Sequence, residues 1–227
     1  MDASSRILPA VRQFVPQGGT PAPLGLLRLG SCPDDLRVAK AARRLIGESA
    51  FPNGIRAEGV ATTLHLSVEL DAAPHADGYR LDLRDREIAV IGGSAAACFY
   101  GLKTLEQLVR VSRAKPNLPC CTILDWPDFD TRGLLHDVTR GKAPTLATLK
   151  LLADRLVSLK VNQLQLYIEH ALTFAFDPDI CDADHGLTPD EIRELDRYCA
   201  ERFIELVPAV ANLGHMGRIL SLPRYRH

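Results

Sequence analysis

Charged and polar residues follow three predicted strands in the second half of the chain, at the point where each strand ends. Carboxylate and imidazole groups transfer protons, and a guanidinium binds paired oxygens. Because parallel strands bring their carboxyl ends to one edge of a sheet, we expect these side chains to share a rim. They are Asp137 and Arg140, Glu169 and His170, and Asn212 and His215.

Alternating strand and helix patterns position these residues between residues 132 and 210. Strands are predicted at 132–138, 161–168 and 204–210, and an apolar stripe with a helical period marks the helix after the first strand. Strand–helix–strand units imply parallel strands, so this half is predicted to be α/β. The stripe comprises Leu146, Leu149, Leu152, Leu156 and Leu159.

Local signals predict the starts of two helices. Thr188-Pro189-Asp190-Glu191 combines an N-cap, a proline at the first helical position and a capping box. In the first half, Ser94 is predicted to cap a helix after a hairpin over 79–91. A strand from Thr62 and a helix after residues 33–35 complete a smaller predicted α/β unit.

The composition excludes several classes of protein. The chain is 46% hydrophobic and 24% charged, with a formal charge of −1 and no long Lys/Arg block, so neither nucleic acid nor a membrane surface is a predicted partner. No secretory signal and no run of about 20 apolar residues is visible, which predicts a soluble, cytoplasmic protein. The six cysteines lack C-x-x-C spacing, which predicts reduced thiols.

Several motifs together resemble one enzyme family. Residues 125–140 read DWPDFDTRGLLHDVTR, residues 166–170 read LYIEH and residues 214–216 read GHM. They resemble, in this order, the start of the catalytic barrel in family 20 glycoside hydrolases, the β-N-acetylhexosaminidases. Residues 78–108 are similar to the small domain that precedes that barrel. The resemblance covers about residues 60–227.

This resemblance implies a fold and a domain division. The expected fold is a zincin-like α/β N-terminal domain followed by an incomplete (β/α)8 TIM barrel of about three strands. Residues 1–30 are expected to form an irregular lead-in that could include one short strand, 31–122 an auxiliary α/β domain, and 123–227 the truncated N-terminal portion of the catalytic barrel. A full barrel needs about 250 residues, so we expect a fragment that is inactive alone.

The resemblance also implies hydrolysis of terminal N-acetylhexosamine by a substrate-assisted retaining mechanism, in which the 2-acetamido oxygen attacks the anomeric carbon. The Asp-Glu pair of the family follows the fourth strand, so no catalytic residue is expected in this chain. No metal or cofactor is implied. The implied partners are an N-acetylhexosamine-terminated glycan or glycoside and the remainder of the barrel. The implied substrate-binding residues are Arg132, Asp137, Glu169, His170 and His215.

Two other functions remain open at the level of sequence. His136, Asp137, Glu169, His170 and His215 are of the types that bind zinc or manganese, which would suit a metal-dependent TIM-barrel hydrolase or isomerase. Alternatively, the chain is a non-catalytic carbohydrate-binding module that keeps a sugar-facing rim without the acid.

Overall fold

Two structural units divide the chain, one formed by Met1–Asp130 and the other by Thr131–His227. The computed structural model describes residues 6–23, 26–49, 61–112, 117–181 and 186–225. The first unit contains β1 (Gln13–Pro16), β2 (Ala22–Pro23), β3 (Leu27–Ser31), α1 (Leu36–Ser49), β4 (Thr62–Val68), β5 (Tyr79–Arg84), β6 (Glu87–Gly92), α2 (Ala95–Val111), β7 (Asn117–Leu118) and β8 (Cys121–Asp125).

A mixed sheet of six strands, in the order β1-β8-β5-β6-β4-β3, forms the first unit. β5 and β6 are the predicted hairpin, joined by a two-residue turn in which Asp85 has a left-handed φ of 47°. Aspartate tolerates this region better than most residues. β4 begins at Thr62 as predicted; Leu64 and Leu66 are buried and His65 is half-buried. The alternation does not extend to Thr63, which is buried, or to Val68, which is exposed.

Helix α2 packs on β4, β5 and β6, and α1 packs on α2 and β3. Ser94 caps α2 as predicted, since its side chain accepts a hydrogen bond from the backbone N–H of Ala97. Gly101 lets the helix approach the sheet closely: a Cβ there would lie 2.4 Å from Cγ1 of Val90. The buried hydroxyl of Tyr79 donates to Asp125, 2.9 Å away, so the core also holds a polar network.

The first 30 residues differ from their prediction as an irregular lead-in. β1, β2 and β3 all begin there; β1 pairs with β8 and β3 pairs with β4. The prolines in this region are typical of turns, which is why the sequence did not predict these strands. β1 is an edge strand, and an edge strand tolerates a terminal proline such as Pro16. Residues 1–5, 24 and 25 of the predicted lead-in lie outside the described residues.

The two units meet in sequence at Asp130 and Thr131, whereas the predicted division is at 122 and 123. That predicted boundary falls inside β8, which pairs with both β1 and β5. Sheet pairing therefore assigns the DWP motif at residues 125–127 to the first unit.

The second unit is built around a parallel sheet in the order β9-β10-β11. Both strand pairs are parallel, as the sequence predicts. Its elements are β9 (Gly133–Asp137), α3 (Leu146–Ser158), β10 (Gln163–Ile168), a 3-10 turn (Pro178–Ile180), α4 (Pro189–Ala200), β11 (Glu205–Val210), α5 (Gly217–Ser221) and a second 3-10 turn (Pro223–Tyr225).

Helices α3 and α4 begin where the sequence predicts, whereas the short helix α5 was not predicted. Thr188 and Glu191 form a complete capping box at the start of α4, and Thr145 caps α3. The buried face of α3 is only partly the predicted leucine stripe, because Leu159 is exposed. The residues buried on α3 are Leu149, Ala153, Leu156 and Val157.

Within the described ranges, no helix combines the length and the apolar character that crossing a membrane requires. All six cysteines carry free thiols.

Candidate functional site

The carboxyl ends of β9, β10 and β11 lie at one edge of the parallel sheet. β9 ends at Asp137, β10 at Ile168 and β11 at Val210. Backbone hydrogen bonds continue just beyond the strands, from Val138 N to Tyr167 O at 3.2 Å and from Ala211 N to Ile168 O at 2.9 Å. The loops that leave the three strands therefore start side by side.

Asp137 organises the turn after β9. Its Oδ1 accepts hydrogen bonds from the backbone N–H groups of Thr139 (2.9 Å) and Arg140 (3.2 Å). This is an Asx-type turn, in which the side chain replaces a backbone acceptor. Its other oxygen, Oδ2, accepts from Nη1 of Arg140 at 2.5 Å. One carboxylate thus fixes both the backbone of the turn and the guanidinium that follows it.

Arg140 joins the ends of two strands. Its Nη2 donates to Oε1 of Glu169 at 2.5 Å, and the guanidinium carbon lies 5.2 Å from the ring centre of Tyr167. The Tyr167 hydroxyl donates to the same Glu169 oxygen at 3.1 Å. The Glu169 side chain is only 12% exposed, whereas that of Arg140 is 54% exposed. The guanidinium of Arg140 is therefore held by the less exposed Glu169 and Tyr167 and remains partly open to solvent.

His215 brings the third strand to this group. Its Nδ1 lies 3.4 Å from both Nη2 of Arg140 and Oε1 of Glu169, and its ring meets the Tyr167 ring edge-on at 6.3 Å. We call Asp137, Arg140, Tyr167, Glu169 and His215 the Arg140 cluster. His215 adopts a left-handed φ of 58°, which is uncommon for a residue with a side chain. Such backbone conformations persist where surrounding contacts enforce them.

The contacts between Asp137 and Arg140 favour the charged forms of these two residues. Burial raises the pKa of Asp137, but hydrogen bonds from Thr139 N–H and from the Arg140 side chain outweigh that effect, so the net pKa is below 3.8. The hydrogen bond to Asp137 raises the pKa of Arg140, with a further contribution from Tyr167. Arg140 thus stays a cation throughout the physiological range, and charge-assisted donors of this kind suit sugar hydroxyls and carboxylates.

Residues 4–126 match the sequence profile of glycosyl hydrolase family 20, domain 2. This match covers more than half of the chain. The chain therefore belongs to glycosyl hydrolase family 20. The resemblance inferred from the motifs is confirmed, because the matched residues form the greater part of the first unit and relatives that align beyond them carry the family's names.

Relatives in family 20 extend the similarity into the second unit. The chain is 28% identical over 180 residues to a β-hexosaminidase of Akkermansia muciniphila, an alignment that covers 71% of this chain and 36% of that protein. It is 26% identical over 203 residues to a β-hexosaminidase of Porphyromonas gingivalis, covering 79% and 25%. The chain thus spans about a third or less of these curated relatives.

Solved structures of the family share the fold over nearly the whole chain. A family 20 β-N-acetylglucosaminidase matches with a TM-score of 0.75 and 25% identity, over 95% of this chain and 44% of its own. The β-N-acetylhexosaminidase of Streptomyces coelicolor matches with a TM-score of 0.78 and 24% identity, over 97% and 49%. The mixed α/β architecture of both units is therefore a family 20 fold.

Arg132 lies apart from the other family 20 candidates. It precedes β9, at the amino end of the strand, and its Nε donates to the backbone oxygen of Lys160 at 2.9 Å. Its backbone N–H donates to the side chain of Asn162. Five strand residues, at about 3.3 Å each, separate it from the carboxyl rim. The structure brings Asp137, Glu169 and His215 together, and the guanidinium they share is that of Arg140.

His170 is adjacent to the Arg140 cluster in sequence but takes no part in the hydrogen bonds and ion pairs described above. The residue is half-buried, and its Nδ1 is buried without a hydrogen-bond partner. Because side chains alternate along a strand, the position directly after Glu169 falls on the opposite face of the alternation in β10. Asn212 contributes no side-chain contact to the cluster among the described interactions.

The arrangement does not favour the metal-site hypothesis. His136 and Asp137 are successive strand residues, so they point to opposite faces of β9. Where a cation would bridge Asp137 and Glu169, the guanidinium of Arg140 already does so. Among the residues that the structure describes, no group of three or more His, Cys, Asp or Glu side chains could hold a metal ion.

The predicted set of substrate-binding residues lacks three residues of the site, Arg140, Tyr167 and Thr139, although Arg140 is among the predicted rim residues. Tyr167 shares the polar parity of β10 with Glu169, so the alternation already placed it on the correct face. Thr139 accepts a hydrogen bond from the backbone N–H of Glu169 at 3.0 Å and so links two strand ends. No signal in the sequence indicates the hydrogen bond between Thr139 and Glu169, because the two residues are thirty positions apart.

Proposed function

We propose that the Arg140 cluster binds the terminal sugar of an N-acetylhexosamine-terminated glycan or glycoside, as part of a β-N-acetylhexosaminidase. The observation that carries this proposal is the exposed guanidinium of Arg140, braced by Asp137 and Glu169 at the carboxyl ends of parallel strands. A guanidinium has five N–H donors. The two ion pairs use one from each terminal nitrogen, which leaves donors for sugar hydroxyls.

The fold proposal follows from strand order. Parallel strands β9, β10 and β11 adjoin in sequence order with helices between them, which is the repeat of a (β/α)8 barrel. In such barrels, substrates bind at the carboxyl ends of the strands. We propose that the second unit is the first part of that barrel and that the first unit is the zincin-like domain of the family.

Hydrolysis by the substrate-assisted route requires an Asp to orient the acetamido group and a Glu to protonate the leaving oxygen. Glu169 is engaged as an acceptor by Arg140 and Tyr167, a role that suits an anchor for the arginine. The adjacent Asp190 and Glu191 start α4, where Glu191 completes the capping box. We therefore propose that residues 1–227 contribute sugar binding and that the catalytic pair comes from sequence outside them.

Binding of N-acetylglucosamine to the purified chain tests this proposal. The sugar has about 15 heavy atoms, and about 0.3 kcal/mol per atom gives a dissociation constant on the order of 1 mM. Arg140→Ala should weaken binding about 10- to 100-fold, because it removes charge-assisted hydrogen bonds worth about 1.5–3 kcal/mol. NMR titration with N-acetylglucosamine, and with glucose for comparison, measures the dissociation constants of the unmodified chain and of the Arg140→Ala variant.

Arg193→Ala is the matched control, because Arg193 is an exposed arginine of the same unit whose ion pair, with its helix neighbour Asp190, lies outside the Arg140 cluster. It should bind like the unmodified chain. Equal affinities for the Arg140→Ala and Arg193→Ala variants would exclude the cluster as the sugar site. We expect no release of nitrophenol from a nitrophenyl N-acetylglucosaminide by the chain alone, and the same outcome fits a non-catalytic binding module. Activity restored by a longer chain separates the two.

A further inference from the structure

The segment that follows β11 is attached to the segment that follows β10. Arg218 donates from Nε to the backbone oxygen of Ile180 at 3.1 Å. Arg224 forms ion pairs with Asp177 and Asp179, and the Tyr225 hydroxyl donates to Oδ2 of Asp177. Both segments leave the carboxyl edge of the sheet. We call Asp177, Asp179, Arg218, Arg224 and Tyr225 the clasp.

Asp177 is the centre of the clasp. It is 2% exposed, although the turn around it is largely at the surface. Its Oδ1 lies 2.9 Å from Nη1 of Arg224, in an ion pair that is not aligned as a hydrogen bond. A buried carboxylate is strongly disfavoured unless it is paired. The partners of Asp177 come from more than forty residues away, so its burial depends on the two segments staying together.

The segment that carries Arg218, Arg224 and Tyr225 begins immediately after His215. Within residues 216–225, the backbone N–H groups of Leu220, Leu222 and Tyr225 donate to carbonyls three or four residues earlier, so the segment is continuously hydrogen-bonded. Arg218, the nearest arm of the clasp, is three residues beyond His215. A displacement of this segment would therefore move His215.

His215 itself has few attachments. Its side chain is 61% exposed, its contacts to Arg140 and Glu169 are long, at 3.4 Å, and its backbone is left-handed. Left-handed backbone conformations persist where surrounding contacts enforce them, and the hydrogen-bonded segment 216–225 adjoins His215 on its carboxyl side.

We propose that Asp177 is a positioning residue for His215, acting through the clasp. It holds the loop after β11 against the loop after β10, so that His215 reaches the Arg140 cluster with its ring against Tyr167. The consequence for sugar binding rests on the proposed function of that cluster. The consequence for the position of His215 does not.

Asp177→Asn tests the proposal, because it keeps the size of the side chain and removes the charge that pairs with Arg224. Asp190→Asn is the control, since Asp190 is an exposed aspartate on α4 whose ion pair with Arg193 lies outside the clasp. We expect the ring resonances of His215 to shift and broaden in the NMR spectrum of Asp177→Asn, and its affinity for N-acetylglucosamine to fall about tenfold. The Asp190→Asn variant should change neither.

Arg224 provides a second route if Asp177→Asn fails to fold, because its side chain is 44% exposed and tolerates replacement. Arg224→Met should reproduce the changes in the His215 resonances, and Arg224→Lys should restore most of them by returning a cation. Variants that lower stability but leave the His215 resonances unchanged would overturn the proposal, since the clasp would then be structural only. A chain that binds no sugar yet shows the His215 changes would refute the proposed function and leave the positioning role standing.

Discussion

The two units differ in how deeply they bury the apolar residues of their strands. In the first unit, Leu64, Leu81 and Val90 of the six-stranded sheet are fully or almost fully buried under the helices. In the second unit, Leu135 of β9 is 58% exposed and Val210 of β11 is also exposed. Both of these strands are edges of the three-stranded sheet. Parallel strands are normally covered on both faces, so the second unit presents apolar surface that further structure would bury.

Polar groups differ between the units in the same way. The first unit buries Tyr79, Thr104 and Asp125 in one internal hydrogen-bonded network, which satisfies its core. The second unit places the charged groups of the Arg140 cluster at the carboxyl rim of its sheet, where the guanidinium of Arg140 is exposed to solvent. The polar network of the first unit is therefore internal, whereas the Arg140 cluster of the second unit is the part that we propose binds the sugar.

The largest expected difference comes from one substitution made in both sheets. Leu81→Ala in β5 should lower the free energy of unfolding of the first unit by about 2–5 kcal/mol, because Leu81 is fully buried and its removal leaves a cavity. Leu135→Ala in β9 should change stability by less than about 0.5 kcal/mol. Urea unfolding followed by circular dichroism, with Trp126 fluorescence reporting on the first unit, measures both. Equal losses would break the comparison.

Helix packing in the first unit gives the next effect. Gly101→Ala should destabilise by about 1–3 kcal/mol, because the new methyl group would meet Val90 at 2.4 Å and Tyr79 at 3.1 Å. Gly47→Ala in α1 has no atom within 4 Å and should stabilise by about 0.5–1 kcal/mol. Thermal unfolding of the two variants gives the sign directly. A stabilising Gly101→Ala would mean that α2 is not closely packed on the sheet.

Local capping in the second unit should matter less than core packing in the first. Thr188→Ala removes the side-chain acceptor of the capping box at the start of α4, while the backbone N–H of residue 188 can still donate to Glu191, and should cost about 1 kcal/mol. Thr188→Ser keeps the oxygen and should retain most of the stability. Urea midpoints of the three chains provide the test. A loss as large as that of Leu81→Ala would show that the second unit depends on its helix starts as the first depends on its core.

The smallest effect concerns pH and the rim. The pKa of Asp137 is lowered below 3.8 in the folded chain, so its ion pair with Arg140 stabilises the fold above the unfolded pKa and is lost as the pH falls through the folded value. The stability difference between the unmodified chain and Asp137→Asn should therefore be flat between about pH 5 and pH 8 and shrink below about pH 4. For such an exposed pair it should stay under about 1 kcal/mol. Urea titrations across this range would reveal any slope near neutral pH, which would contradict the assignment.

Much of the fold follows from local patterns. The hairpin of β5 and β6, the capped starts of α2 and α4 and the parallel strands β9, β10 and β11 were all predictable, because they depend on neighbouring residues and on periodicity. β1 and β3 were not, because their pairing partners are distant in sequence and their prolines and glycines indicate turns.

For the candidate site, the sequence by itself determined that polar residues end three strands and that Asp137, Glu169 and His215 belong to one rim. Only the tertiary structure decided which arginine serves that rim and what holds His215 there. Arg132 and Arg140 flank the same short strand, and a one-dimensional pattern does not rank their partners. Arg132 donates to the backbone oxygen of Lys160, and Arg140 pairs with Glu169. Asp177 pairs with Arg224, nearly fifty residues away. Such contacts arise only when the packing of the sheet brings distant loops together.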